Sequence, residues 1–151
     1  MATMEREVNA LTKFYIAPDA EDAPIDDAWL MLDEGVITID PDVSEETETF
    51  YYWSLNGDSE EVVGSVSQEY AVTAHRFVGD AAQDMVAAKE FAKGSDRIVW
   101  FRRLETNGDS YEAKATLKGI KTIGGDANAY RPLDFSVRWI GKPTLTPGLG
   151  D

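Results

Sequence analysis

The chain contains no cysteine, a single histidine and no apolar run approaching a bilayer's width. Without cysteine there are no disulfides and no thiolate metal sites, and folding suits a reducing cytosol. A membrane helix needs about 20 consecutive apolar residues, so no membrane insertion is expected. The opening stretch MATMEREVNALTKFYIAP lacks a basic region followed by an apolar core, so no secretory signal is expected there. Lys and Arg are absent between Lys13 and Arg76. Residues 1–80 carry 19 acids and 3 bases, whereas residues 81–151 carry 9 and 11. The first half has too few cations to neutralise duplex phosphates, and the asymmetry gives the chain an oriented field.

What is present reads as one globular domain. Its 151 residues, 43% of them hydrophobic, suffice to bury a core. DAAQDMVAAKEFAKG, residues 80–94, predicts a helix over 80–93. Asp80 serves as N-cap, Gln83 stands three positions on as in a capping box, and Gly94 offers a left-handed stop. Met85 and Phe91 fall on its apolar stripe and are expected in the core. The remainder reads as about seven strands. AWLML (28–32) and VITI (36–39) flank a hairpin-like turn at Asp33-Glu34-Gly35. TFYYWS (49–54) is β-prone, and residues 65–78 alternate over a long run with neither face purely apolar. RIVWFRRLE, SYEAKATLKGIKTI and LDFSVRWIG follow, the last with Leu133, Phe135, Val137 and Trp139 on one face. Strands with short turns and one helix predict a mainly β fold, a sandwich or distorted barrel with the helix packed on one side.

One segment resists this grammar. DPDVSEETETFYYWSLNGDSEE, residues 40–61, holds eight carboxylates, no cation and four consecutive aromatics, Phe50 to Trp53. A solvated acidic tail would lack the aromatics, and a core strand would lack the acids.

The catalytic inventory is thin, and no enzyme is expected. His75 lies mid-strand in TAHRF, and no G-x-S-x-G nucleophile elbow accompanies it. A glycosidase needs two facing carboxylates, but a pairing among 28 acids carries little information. Asp40-Pro-Asp42 and Asn56-Gly57-Asp58 resemble fragments of a calcium loop without its full spacing. Gly124-Gly125 precedes no Lys-Ser/Thr and no helix, so it is a turn rather than a phosphate cradle. No cofactor is expected. Tyr51, Tyr52, Trp53 and Trp100 suggest an alternative, a carbohydrate-binding β-sandwich module, in which rings stack on sugars.

The order of elements resembles the major tail tube protein of long-tailed bacteriophages, and with it the wider superfamily of contractile-tail and type VI secretion tubes. Four features carry the resemblance. They are an N-terminal arm (1–27), an acidic and aromatic excursion (40–64), a strand running into a capped helix (YAVTAHRFVGDAAQDMVAAKEF), and a closing strand with a Gly/Pro tail (DANAYRPLDFSVRWIGKPT). The resemblance implies a virion structural protein, assembled in the host bacterial cytoplasm and found in the virion tail. Six copies would form a ring, and stacked rings would form the tube through which DNA is ejected. Partners would be further copies, a tape-measure protein, a tail terminator and distal tail or baseplate proteins. Residues 40–64 would be an assembly loop, with Asp42, Glu45, Glu46, Glu48, Phe50, Tyr51, Tyr52, Trp53 and Asp58 between subunits. Glu69 is the candidate lumen-facing acid. Arg97, Arg102, Arg103, Lys114, Lys118 and Lys121 are candidate basic partners across the interface. Residues 142–151 would be a flexible C-terminal tail.

Overall fold

A computed structural model describes residues 6–22, 24 and 28–148. They form eight strands and one α-helix: β1 (Lys13–Pro18), β2 (Leu30–Met31), β3 (Val36–Tyr51), β4 (Ser59–His75), α1 (Ala81–Ala87), β5 (Ile98–Leu104), β6 (Ser110–Lys121), β7 (Pro132–Trp139) and β8 (Thr144–Thr146). All strands join one antiparallel sheet in the order β2-β1-β5-β6-β7-β4-β3, with β8 pairing β6 beyond the end of β7. The fold is thus mainly β with one helix, as the strand pattern predicts, and the sheet is curled but not closed. At the seam a groove of about 580 Å³ runs between β1 and β3, lined in part by Phe14, Leu32, Val36, Ile39 and Tyr70.

The core lies inside the curl because alternation places one apolar face there. Leu133, Phe135, Val137 and Trp139 of β7 are buried, as are Tyr70, Val72 and Ala74 of β4. Ile16, Val99, Phe101 and Leu117 complete it from β1, β5 and β6. Phe14, Tyr70, Phe101 and Trp139 form an aromatic cluster with ring centroids 5.4–5.7 Å apart. Two polar tips are satisfied within it. Trp139 Nε1 donates to the Phe101 carbonyl at 3.0 Å, and Arg103 Nη1 donates to the Tyr70 hydroxyl at 2.7 Å.

Helix α1 covers one mouth of the curl with Ala82 and Val86. Asp80 caps it as expected, its carboxylate accepting from Gln83 N at 3.1 Å. The helix ends at Ala87, well short of residue 93. Arg97 explains the early end: its guanidinium takes the carbonyls of Glu90 (2.7 Å) and Ala92 (2.9 Å), and residues 88–91 form turns instead of helix. Phe91, expected in the core, is consequently 89% exposed, while Met85 does pack against the core. Gly94 does adopt a left-handed φ of +59°, but it opens a 3-10 turn (Gly94–Arg97) rather than closing the helix.

Four further expectations are corrected. Residues 28–39 are no hairpin: β2 pairs with β1, and the Asp33–Gly35 turn carries the chain from one sheet edge to the other. The proposed N-terminal arm is in part a sheet strand, since β1 lies within it. The C-terminal tail is pinned through residue 148, with β8 paired to β6 and Gly148 N donating to Asp109 Oδ1 at 2.7 Å. Finally, residues 40–64 are not an irregular loop but most of a long β-hairpin, β3 with β4.

A candidate assembly surface

The hairpin can be built from its register. β3 and β4 pair from Val36↔Ala74 to Tyr51↔Ser59, with register shifts at Ile37 and Gly64, and Asn56 (φ +54°) and Gly57 (φ +85°) supply the left-handed residues that reverse the chain. On β6, Thr116 is level with Arg138 and hence with Glu69 of β4. Ser110, where β6 begins, is therefore level with about Val63. The five pairs from Thr47↔Val63 to Tyr51↔Ser59 overhang the sheet, an arm of about 15 Å at roughly 3.3 Å per residue.

Paired residues share a face, and successive residues alternate. Asp40, Asp42, Glu46 and Glu48 of β3 therefore share a face with Glu69 and Glu60 of β4. This face continues the outer, polar side of the sheet. The other face continues the core side and carries Val43, Val66, Val63 and Tyr51, with Glu45 and Glu61 among them. Gly64 has no partner, since Glu46 pairs Ser65 and Thr47 pairs Val63. That one-residue bulge bends the arm and leaves the faces of the outer pairs unchanged. Beyond the point where its own core ends, the arm mixes apolar and acidic residues on both faces, since Phe50 and Val62 lie on the carboxylate face beside Glu48 and Glu60. Phe50 stacks on Tyr52 at 5.9 Å, and Trp53, at the tip, is 98% exposed. Trp100 belongs to β5 and bonds the Ala20 carbonyl, so the structure does not bring the four suggested sugar-stacking rings together.

Five of the six candidate cations have partners within the chain. Arg97 is consumed by backbone carbonyls. Arg103 bonds Tyr70 and pairs Glu105 at 2.7 Å. Lys114 pairs Asp19 at 3.1 Å, and Lys118 pairs Glu69. Arg102 lies over the rings of Tyr15 and Trp29 at 4.5 and 4.7 Å. Only Lys121 is both exposed and without an ion pair or hydrogen bond among the described residues. Arg138, Lys142 and Lys93, exposed and without ion pairs among those residues, escaped the sequence reading. Outward alternation on β7 could have found Arg138.

His75 is exposed and meets the edge of Tyr130 at 5.8 Å. Among the described residues, no group of three His, Asp or Glu side chains is placed to hold a metal ion, and no helix is long and apolar enough to cross a membrane.

No protein-family model matches the chain, and no curated protein matches it. Solved structures do. A chain from the tail of an empty gene transfer agent particle, reconstructed with C6 symmetry, superposes with a TM-score of 0.70 at 14% identity, covering 93% of this chain and 99% of that one. A chain from the virion of the native gene transfer agent particle gives 0.68 at 12% identity with the same coverage. A chain of the anti-feeding prophage cap, a tube-terminating cap, gives 0.58 at 11% identity, covering 98% and 95%. The likeness spans nearly the whole of each chain and shows a shared fold.

Proposed function

We propose that the chain is a tail tube subunit, a structural protein of the virion tail without catalytic activity. Six copies form a ring, rings stack, and DNA leaves through the lumen. The observation that carries this reading is the overhanging arm: an exposed aromatic tip and the exposed valines Val62 and Val63 behind it, on a fold shared with a chain of a C6-symmetric tail. A lone monomer has no use for that surface, and a heterologous interface covers it while propagating a linear assembly. The free edge of β3 is an aggregation liability unless a neighbour meets it.

The outer sheet face lines the lumen in this reading, because it is the polar side of the sheet. Its arm half carries the carboxylate row, which repels phosphate within a Debye length of about 8 Å. Glu69 lies on this face but is neutralised by Lys118, so Asp40, Asp42, Glu46 and Glu48 supply the net charge. A tape-measure protein, a tail terminator and baseplate proteins are the partners that start and end such a tube. Negative-stain microscopy of the purified chain, alone and with its tail initiator, tests the reading. Rings or tubes are expected, and monomers under every salt and concentration condition with initiator present would overturn it.

A further inference from the structure

Strands β1 and β2 are antiparallel neighbours, and a turn of about two residues would join them. The connection instead runs for eleven residues, 19–29, and detours over the outer sheet face. Two bonds mark its path. The Ala20 carbonyl accepts from Trp100 Nε1 on β5 at 3.0 Å, and Asp19 pairs Lys114 on β6 at 3.1 Å. Both contacts lie on the side of β1 away from β2, since the sheet order is β2-β1-β5-β6. They lie on the outer face because Val99, Phe101 and Ala115, the neighbours of Trp100 and Lys114 along their strands, point into the core. Trp29 anchors the return. It is buried and lies over the Arg102 guanidinium, as does Tyr15. Ala17, which shares this face with Trp100, is fully buried.

The detour crosses the cationic part of the outer face. Arg102, Lys114, Lys118, Lys121 and Arg138 share that face on β5, β6 and β7, with Glu112 and Asp134 as its acids. Tyr15 and Trp100 stand among them. Cations interleaved with aromatic rings are the chemistry that holds nucleic acid, the cations on phosphates and the rings on bases. The connection itself, DAEDAPIDDAW, has five acids and no cation. We propose that residues 19–22 are a built-in phosphate decoy. Their carboxylates stand where DNA phosphates would sit over Lys114 and its neighbours, and so keep DNA from adhering to the cationic half of this face. Asp19 meets Lys114 directly, and Glu21 and Asp22 follow it, both exposed. Lys118 is masked by Glu69 of β4 in the same way. An exposed ion pair holds little by itself; the Trp100 bond and the buried Trp29 fix the connection in place. The masking belongs to the single chain. Its use, a bore to which DNA does not adhere, rests on the tube reading.

Fluorescence anisotropy of a short labelled DNA duplex with the soluble subunit tests the decoy without assembly. The wild type is expected to bind only weakly at low salt. The triple variant Asp19→Asn, Glu21→Gln, Asp22→Asn is expected to bind at least about tenfold more tightly, with a salt slope set by about two or three phosphate contacts. Adding Lys114→Gln removes most of that gain. Trp100→Phe frees the connection without altering charge, and is expected to tighten binding while circular dichroism stays unchanged. Neutralising Asp42, Glu46 and Glu48 instead removes the same charge where no cation is masked, and is the control. A triple variant that binds no better than this control, a gain that survives Lys114→Gln, or a Trp100→Phe chain that binds like the wild type overturns the decoy. A wild-type chain that never forms rings or tubes beside its initiator overturns the tube reading and leaves these measurements standing.

Discussion

Gln83 illustrates how one polar side chain can organise a junction. It is buried, and its amide Nε2 donates to the carbonyls of Glu34 (2.6 Å) and His75 (2.9 Å) while Oε1 accepts from Phe77 N (2.6 Å). The sequence suggests a capping box of Asp80 and Gln83, and only the Asp80 half forms. The glutamine, however, turns away from the helix and ties it to the β2–β3 turn and the end of β4. Gln83→Leu leaves three backbone groups without partners, and at about 1–3 kcal/mol each the expected loss in urea unfolding is about 3 kcal/mol or more. Beside it, the Arg76 guanidinium at 2.8 Å and then Gly79 N–H hold the Asp84 carboxyl below its ordinary value. A carboxylate depressed by folding contributes stability above its unfolded pKa and loses it as pH falls through the folded one. The melting-temperature gap between the wild type and Asp84→Asn is therefore expected at neutral pH and should vanish in strong acid. Tyr70 shifts the other way. Burial, opposed by Arg103, raises its phenol, so its stabilisation holds below the ordinary value and fails as pH climbs through the folded one.

At the scale of elements, legibility followed periodicity. β7 could be read residue by residue because Leu133, Phe135, Val137 and Trp139 alternate cleanly. The arm could not. Asp40 to Glu48 lack the apolar alternation that marks a buried strand, because that part of β3 buries nothing in its own chain. Its strand conformation comes from pairing with β4, a long-range contact that local composition does not display. The helix was overread for the opposite reason: Ala88 to Ala92 have helical propensity, but Arg97 competes for their carbonyls. Charge in a sequence likewise does not show which partner within the chain a cation meets, as Lys114 meets Asp19 and Lys118 meets Glu69. The arm's independence from the core gives a direct prediction. Replacing residues 45–66 with an Asn-Gly turn between Ser44 and Ser67, which are register partners, is expected to leave a folded monomer. Its circular dichroism should retain helix α1, and electron microscopy should show no tubes.

Across the whole molecule, the two sheet faces divide the work of packing and solvation. The inner face makes the core. The outer face grades from the acids of β3 and β4 to Lys114, Lys118 and Arg138 on β6 and β7. Asp42→Lys with Glu46→Lys is expected to spare assembly, scored by microscopy, while slowing DNA release from filled particles. Both described chain ends meet at the β5–β6 turn, where Thr106 Oγ1 donates to Glu7 Oε1 at 2.6 Å and Asp109 accepts from Gly148 N. Gly64 carries a different kind of consequence. In-frame loss of its codon would remove the bulge, keep every cross-strand pair and keep every contact residue of the arm. Only the direction of the tip would change. Such a subunit is expected to fold, to melt at or near the wild-type temperature, and to fail at elongation. A genetic screen would record it as a null allele whose surface residues are all intact, a lesion of aim rather than of composition.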